Sequence, residues 1–272
     1  MPETVLFVNS ATSAGARNKS ADGSGFDISF DQPLAVSGTP TIRCLQSTIF
    51  YTFPNVTAAN NGLRIRWFSR DVMDPTTVYN FHYQITFARG LYSVDDLNAV
   101  LRRELLSQGL ASDTFQLVAD NATQRVGARI NAQGGTVTID GFTAEFAHAD
   151  STINSLLKFT KDVSATRAQG EQVLMADGAE AEFAPCSSVL LHCSLASGSY
   201  LNGAGAQDVV ASIALDATPG SQIMFMPQVS PRVPAPALLS NVATTRISIT
   251  DQDGGALDTM DEDFQATLLI EW

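Results

Sequence analysis

The sequence predicts an all-β fold: a single jelly roll, built as an antiparallel β-sandwich, with one main helix and an N-terminal extended arm. Three observations favour this fold class. Short stretches of alternating apolar and polar residues recur along most of the chain, and turn-forming residues separate them. One segment alone has convincing helical periodicity. Many short strands with regularly spaced turns are typical of β-sandwiches and jelly rolls.

We expect one large domain preceded by an arm. Residues 1–25 begin with a short apolar run and continue almost entirely with Ser, Ala, Gly, Thr and Asn, a composition that cannot bury a core. We therefore predict a flexible N-terminal arm over residues 1–25, with a frayed terminus as the alternative interpretation. The jelly-roll domain is predicted over 26–272, and within it residues 110–160 are a candidate inserted β-meander.

The predicted helix follows a tight turn at Arg89-Gly90. Ser93 is a natural N-cap, and Asp96 supplies the acidic partner of a capping box. Apolar residues then recur at helical spacing up to Leu106, and Gln108-Gly109 provides a C-terminal stop. This segment predicts a helix from residue 94 to about residue 106.

Before the helix, the pattern predicts four strands, at 26–30, 41–53, 63–68 and 78–87. Gln32-Pro33 is expected to end the first of them, because proline disrupts a sheet ladder. Asn61-Gly62 is a strong hairpin signal and predicts a tight turn into the third strand.

After the helix, a meander is predicted from strands at 115–119, 126–130 and 137–139, with turns at 120–123 and 133–135. A short helix capped by Ser151 is expected over 151–157, and residues 161–181 are interpreted as an exposed loop. The remaining strands are predicted at 188–195, 209–215 and 223–226, followed by an extended link at 227–236. A final hairpin is predicted between 246–250 and 264–272.

Charge and hydropathy exclude several classes of protein. The net charge is −12, with 28 acidic and 16 basic side chains, so the chain lacks the basic surface that nucleic-acid binding requires. No apolar run is long enough to span a bilayer, and the first residues do not form a secretory signal. We expect a soluble protein, made in a cytosol, without direct nucleic-acid contact and without a membrane span.

No constellation of catalytic residues is present in the sequence. The three histidines, His82, His148 and His192, are far apart in sequence, and we interpret each as structural. The three cysteines, Cys44, Cys186 and Cys193, are expected to be reduced and buried rather than paired. The sequence therefore predicts no catalytic residue, no metal site and no cofactor, and the chain is not expected to be an enzyme.

The segment Asp251–Glu262 resembles a calcium-binding loop in its acidic residues. It has Asp at the first and third positions and Glu at the twelfth, but Ala256 stands where such a loop requires glycine. The flanking segments are predicted strands rather than helices. We therefore interpret Asp253-Gly254 as a β-turn, with weak incidental cation binding as the alternative.

Several short motifs follow one another in an order found in a known family. They are Phe26–Leu34, Phe50–Val56, Arg89–Leu97, Phe115–Ile130, Ile153–Phe159, Val189–His192 and Ile247–Gly254. In this order they resemble the penton (vertex) proteins of virophages, polinton-like viruses and related DNA viruses of the double-jelly-roll lineage. Each motif is short, and Lys158 stands where the family usually has glycine.

The resemblance implies a structural capsid protein located in the virion. Five copies would form a homopentamer at each vertex of an icosahedral shell, holding the neighbouring major capsid proteins, which are double jelly rolls, together with other minor capsid proteins. Synthesis in the host cell, contact of the arm with neighbouring subunits and contact with a host-cell receptor are further expectations. Penton proteins of this type have no catalytic site, so the resemblance implies no site residues.

Two other functions remain as alternatives. The first is a carbohydrate- or receptor-binding β-sandwich of a viral fibre or spike. Such modules usually expose aromatic residues, and the small number of Trp in this chain, two, argues against it. The second is a jelly-roll enzyme of the cupin type, which needs clustered histidines and a carboxylate as metal ligands. Three histidines that are scattered in the sequence argue against it.

Overall fold

The structure is a computed structural model that describes residues 3–71, 73–133, 139–184, 186–197, 199–200, 206–235 and 238–272. The chain divides into two compact units. Unit 1 comprises Met1–Phe53 and Pro185–Trp272, and unit 2 comprises Pro54–Ala184. Unit 2 is therefore an insertion in the sequence of unit 1.

The strands, in chain order, are β1 (Glu3–Asn9), β2 (Gly25–Ser37), β3 (Thr41–Phe50), β4 (Gly62–Arg70), β5 (Val78–Thr86), β6 (Phe115–Asp120), β7 (Arg125–Ile130), β8 (Gly141–Ala144), β9 (Val163–Thr166), β10 (Gln172–Met175), β11 (Ser188–Cys193), β12 (Ser199–Tyr200), β13 (Ala206–Gln207), β14 (Val209–Ala214), β15 (Gln222–Phe225), β16 (Val233–Pro234), β17 (Leu238–Asp251) and β18 (Gln265–Glu271). The α-helices are α1 (Val94–Ser107) and α2 (Asn154–Leu157).

Unit 1 has the strand order of a jelly roll. One sheet has the order β1-β18-β3-β15, and the other has the order β14-β11-β17-β2. If the eight principal strands are counted along the chain, these orders are 1-8-3-6 and 5-4-7-2, and all pairs are antiparallel. This is the arrangement in which the chain crosses repeatedly between two sheets. Unit 2 enters between the third and the fourth of these strands.

The core of unit 1 receives alternate residues from both sheets. Phe26 on β2 and Phe264 just before β18 are fully buried, and their rings meet edge to face with centroids 5.4 Å apart. On β11, five of the six residues are buried, as the continuous apolar run predicts for a strand covered on both faces. The first sheet contributes Ile42, Cys44, Leu268 and Ile270 to the buried set.

Unit 2 contains two further sheets and α1. The sheets have the orders β5-β4-β8-β9 and β10-β7-β6. Helix α1 places Leu97, Leu101 and Leu105 into a core that also contains Phe115 and Phe142. Buried Asn98 fixes the helix to β6, because its side chain donates to the Leu117 carbonyl and accepts from the Leu117 N–H, both at 2.8 Å.

The predicted fold class is confirmed, since the protein is all-β, its sheets are antiparallel and it has one main helix. The helix boundaries are also confirmed. Ser93 caps α1, and the Asp96 side chain returns to the Ser93 N–H at 2.9 Å, which completes the capping box. Gly109 after the helix has φ +74°, the left-handed conformation that favours glycine.

Two predicted hairpins are wrong. Asn61-Gly62 does not join the strands on either side, because β3 pairs within unit 1 and β4 pairs with β5 and β8 in unit 2. The segments 246–250 and 264–272 lie in different sheets, since β17 pairs with β11 and β2 whereas β18 pairs with β1 and β3. In both cases the alternation indicated a strand correctly but could not indicate its partner.

Three local predictions are also corrected. Pro33 does not end the first strand, because β2 continues to Ser37 through an irregular stretch in which Ser29 and Leu34 face Thr244 and Val242. An edge strand with a bulge tolerates proline. Residues 161–181 are not all loop and contain β9 and β10. Ser151 does not cap α2; its hydroxyl accepts the Arg64 N–H at 2.9 Å.

The predicted domain boundaries at residues 25, 110 and 160 stay predictions. Within the predicted arm, β1 pairs with β18 and Arg17 bridges to Asp27. The strand predicted at 137–139 and the turn at 133–135 fall largely on residues 134–138, outside the described residues. In the described part of the chain, no helix is long and apolar enough to cross a membrane.

Candidate functional site

A cluster of polar side chains in unit 2 surrounds Arg64 on β4. Glu145, which follows β8 and is buried, lies 2.9 Å from Arg64 Nε through its Oε2 atom. Arg66, two residues further along β4, reaches the other oxygen of Glu145 at 3.5 Å. Asp150 lies 3.5 Å from Arg64 Nη1. One buried carboxylate is thus shared by two arginines on the same face of the sheet.

Two histidines complete this cluster. Arg64 donates from Nη1 to Nε2 of His148 at 3.0 Å and from Nη2 to Nδ1 of His82 at 3.3 Å. A guanidinium group has donors and no acceptor, so Nδ1 of His82 accepts with its lone pair. At His148 the other ring nitrogen, Nδ1, accepts the Asp150 N–H at 3.2 Å. We refer to Arg64, Arg66, His82, Glu145, His148 and Asp150 as the Arg64 cluster. It joins β4, β5 and the segment after β8.

The Arg64 cluster borders an open depression of about 550 Å³. Asn61, Tyr83, Gln84 and Thr152 contribute to its wall. Gly62 also lines the depression, and a Cβ atom there would come within 2.4 Å of the Asp150 carbonyl oxygen, so a glycine is required. The groups are polar and of both charges, and they are mutually paired. The arrangement suits holding the sheet face together rather than proton transfer.

A second polar chain lies in unit 1. His192 on β11 is buried, with Nδ1 2.7 Å from Asp208 Oδ1 and Nε2 2.9 Å from Thr250 Oγ1. The hydrogen bond from His192 lowers the pKa of the Asp208 carboxyl below its ordinary 3.8. The Thr250 hydroxyl donates to the Asp251 carbonyl at 3.1 Å, so it is engaged with the backbone. We interpret this chain as a tie across β14, β11 and β17.

The three cysteines are buried and free, as predicted. Burial raises the pKa of the Cys44 and Cys186 thiols to about 11, and it also raises the pKa of Cys193. The thiolate is the reactive form of cysteine, so these side chains are poor nucleophiles and poor metal ligands near neutral pH.

The calcium-like segment forms the predicted turn. Asp251 Oδ1 accepts the N–H groups of Asp253 and Gly255 at 2.9 and 2.7 Å, and the Gly254 N–H reaches the Asp251 carbonyl. The first acidic side chain is thus occupied by backbone donors. Among the described residues, no group of three His, Cys, Asp or Glu side chains is placed to hold a metal ion.

The structure brings together two of the three histidines considered in the sequence. His82 and His148 meet at Arg64, whereas His192 lies in unit 1. The positions of the two histidines in the sequence gave no indication that they meet. They meet through an arginine on the strand that lies between them in the sheet. The expectation that no side chain is catalytic, metal-binding or cofactor-binding stays a prediction.

Two exposed apolar surfaces were also missed. In unit 1, Phe7 on β1 is 81% exposed and Met224 on β15 is 61% exposed, at opposite edges of one sheet. In unit 2, β5 exposes Val78, Tyr79 and Phe81. The strand pattern indicated burial of alternate residues, but it could not indicate which sheet edges lack a neighbour.

Comparisons with known proteins find a likeness in structure but none in sequence. No family model matches the sequence, and no curated protein matches it. A solved structure, the crystal structure of SeMet-labeled mavirus penton protein, is 12% identical over 99% of this chain and 99% of that chain, with a TM-score of 0.48.

Proposed function

We propose that the protein is a structural capsid protein that forms the pentameric vertex of an icosahedral shell. In this role five copies would contact one another around the fivefold axis and hold the surrounding double-jelly-roll major capsid proteins and minor capsid proteins. The work of the protein is assembly rather than catalysis. Receptor contact at the vertex, location in the virion and synthesis in a host cell belong to the same proposal.

The observation that carries the proposal is the ordered series of motifs resembling penton proteins. Those motifs span most of the chain from Phe26 to Gly254. The segments that bear them include β2, β11 and β17 of the jelly roll. Lys158, which stands where the family usually has glycine, has φ +62°, a conformation that favours glycine. The left-handed backbone conformation that would explain a glycine in that motif is therefore present.

An exposed apolar surface on unit 1 supports assembly into a ring. Val5 and Phe7 on β1 and Met224 on β15 are exposed at the two edges of the sheet β1-β18-β3-β15. Cyclic rings use heterologous contacts, in which two different patches of the subunit meet. Two exposed apolar edges are suited to such a contact, and their burial between copies would stabilise it.

The mass of the assembly and its place in particles test the proposal. Light scattering on purified protein should give five times the chain mass of 29.0 kDa. Imaging of virions should place the protein at the fivefold positions. A protein that is strictly monomeric and absent from virions would exclude the vertex role. A monomer with a clear hit on a glycan array would instead favour the carbohydrate-binding alternative.

A substitution at the apolar edge tests the surface itself. Phe7→Glu should shift the population from pentamer to monomer, because it places a charge in a contact between acidic subunits. Val173→Glu is the matched control, since Val173 is an exposed apolar residue on β10 of unit 2. An unchanged pentamer in Phe7→Glu would remove this surface from the interface, while the vertex role would still be decided by the virion images.

A further inference from the structure

We infer that the depression beside the Arg64 cluster is a binding site for a neutral saccharide. The residues that line it all belong to unit 2. The inference names a ligand class for the receptor contact in the vertex proposal, but the site itself does not depend on that role. It rests on the size of the depression, its balance of charge and its free polar groups.

The depression has room for a small polar ligand. Its volume of about 550 Å³ falls within the range of roughly 300 to 1,000 Å³ that small-molecule sites occupy. Gly62 forms part of the wall and has no side chain to fill the space. A Cβ atom there would lie 2.4 Å from the Asp150 carbonyl oxygen and 2.8 Å from Gln84 Nε2. Any side chain at this position would therefore push apart the groups that form the wall.

The formal charges around the depression cancel. Arg64 and Asp150 are the formally charged residues among those that line it, and they lie 3.5 Å apart. Arg64 and Arg66 also share the buried carboxylate of Glu145. An anionic ligand would meet Asp150 in a chain whose net charge is −12, and a cationic ligand would have to displace Arg64 from Asp150. This balance favours a neutral ligand.

Two lining side chains have polar groups without a partner in the described part of the chain. The half-buried Asn61 amide and the exposed Thr86 hydroxyl form no hydrogen bond there. An amide group offers two donors and an acceptor, and a hydroxyl both donates and accepts. Both side chains can therefore bind the hydroxyl groups of a ligand without first giving up a bond within the protein.

His82 and Asp150 add a donor and an acceptor to the wall. His82 Nδ1 accepts from Arg64 Nη2 at 3.3 Å, so the other ring nitrogen, Nε2, carries the hydrogen and can donate. Asp150 is 60% exposed and approaches Arg64 and His148 through Oδ2, which leaves acceptor capacity on the carboxylate. The wall thus offers donors and acceptors together.

This combination matches the chemistry of a saccharide. Each sugar hydroxyl both donates and accepts, so one sugar ring can use amide, hydroxyl, imidazole and carboxylate groups at the same time. An apolar ligand would bury these groups without partners, which opposes binding. The small apolar part of the wall, which includes Ala58 and Ala149, suits the C–H face of a sugar ring. Because this apolar surface is small, we expect dissociation constants on the order of millimolar.

Free sugars added to the full chain test the ligand class. Galactose, glucose and mannose are each compared with their uronates, in which a carboxylate replaces the hydroxymethyl group. We expect at least one hexose to bind in an NMR titration, with an affinity about fivefold or more above that of its uronate. No binding of any hexose, or equal binding of the uronates, would overturn the inference. Neutral oligosaccharides of the same sugars form a second arm, in which tighter binding identifies a glycan chain as the source.

Two asparagine substitutions locate the binding. Asn61→Ala removes a lining amide that has no partner in the described protein, so it should weaken the hexose about fivefold without changing thermal unfolding. Asn80→Ala is the matched control, because Asn80 is exposed on the same strand as His82 and lies outside the depression. It should leave the affinity unchanged. Equal loss in both variants, or no loss in Asn61→Ala, contradicts the site.

A third substitution tests the balance of charge. Asp150→Asn leaves Arg64 without that carboxylate, so the uronate should gain affinity and the preference for the neutral hexose should narrow. An unchanged preference would show that Asp150 does not face the ligand and would overturn the assignment of the depression.

Light scattering on the same samples separates this inference from the vertex role. A pentamer that binds none of the hexoses refutes the saccharide site and leaves the vertex role standing. A monomer whose hexose binding is weakened by Asn61→Ala supports the site and counts against the vertex role.

Discussion

At the scale of single residues, the best predicted feature is the start of α1. Ser93, Asp96 and the leucines that follow are neighbours in sequence, so the pattern alone contains the whole interaction. Lys158 is the converse case. The motif indicates that glycine is usual at this position, and the structure gives the reason as a left-handed backbone that lysine adopts here at a cost of about 1 kcal/mol.

The N-cap gives the first prediction. Ser93→Ala removes the hydroxyl that accepts the Asp96 N–H, and we expect a loss of about 1 kcal/mol in the free energy of unfolding. Denaturant unfolding of the full chain measures it. Ser107→Ala, in the last turn of the same helix, is the control and should have a smaller effect. Equal stability of Ser93→Ala and the wild type would contradict the cap.

The polar tie of His192 was not predictable, because its partners come from distant parts of the chain. Asp208 precedes β14 and Thr250 lies near the end of β17, whereas His192 is on β11 between them in the sheet. His192 falls in the strand predicted at 188–195, and the structure buries it there. A buried histidine needs hydrogen-bond partners. Which residues these are depends on the order of the strands in the sheet, and the sequence pattern does not indicate that order.

The second prediction concerns acid and Asp208. Because the folded-state pKa of Asp208 lies below its unfolded value of about 3.8, its contribution to stability is present above that pH and is lost as the pH falls through the lower folded value. Asp208→Asn should cost about 1 kcal/mol at pH 7, since the carboxylate is partly exposed. It should also flatten the acid side of a stability-against-pH curve measured by denaturant unfolding.

The control for this tie is Asp216→Asn, because Asp216 is exposed just after β14. It should leave both the stability at pH 7 and the shape of the curve near those of the wild type. A curve for Asp208→Asn that parallels the wild type down to pH 2 would show that the His192 contact does not favour the ionised carboxyl.

At the scale of elements, alternation of apolar and polar residues predicts strands well and their pairing poorly. The pattern reports which side of a strand is buried, and both β17 and β18 are buried on one side whichever sheet they join. The short strands β9 and β10 were missed for a different reason. Each has four residues, so the alternation in β9 is too short to recognise, and β10 lies mostly exposed and does not alternate.

Sheet β5-β4-β8-β9 provides the third prediction. Glu145→Gln removes the charge that Arg64 and Arg66 share, and we expect a loss of about 2 kcal/mol, because two cations then face a neutral side chain in a half-buried site. Glu171→Gln is the matched control. Its ion pair with Arg129 is formed at 3.3 Å but is about half exposed, so its removal should cost almost nothing.

Denaturant unfolding at low and high salt distinguishes the two glutamates. The cost of Glu145→Gln should persist at high salt, since burial limits screening, whereas any cost of Glu171→Gln should disappear. Similar small costs for both would mean that Glu145 contributes no more than a surface ion pair.

At the scale of the whole molecule, the fold class could be predicted, but the bounds of unit 2 could not. The strands of unit 2 have the same length and alternation as those of unit 1, so no change in composition marks the boundaries at residues 54 and 184. The prediction of a meander within 110–160 came from β6 and β7, which are consecutive and paired. The return strand β10 lies outside that range.

The fourth prediction tests the two units by shortening the chain. A chain that ends at residue 257 lacks β18, which lies between β1 and β3 in its sheet. We expect unit 1 to become sensitive to protease, because β1 then has no partner among the described strands, while a fragment near 54–184 stays resistant. Limited proteolysis with mass spectrometry measures this. Loss of both units together would show that unit 2 depends on unit 1.

The position of β18 also sets an order of events during synthesis on the ribosome. Strand β1 emerges before its partner β18, which follows it by more than 250 residues. All of unit 2 leaves the ribosome in the interval, and its described strands pair only with one another. The nascent chain therefore carries an unpaired apolar strand, Val5 to Val8, until β18 has been synthesised. Chaperone binding to this segment is the expected means of keeping polysomes of this protein from aggregating.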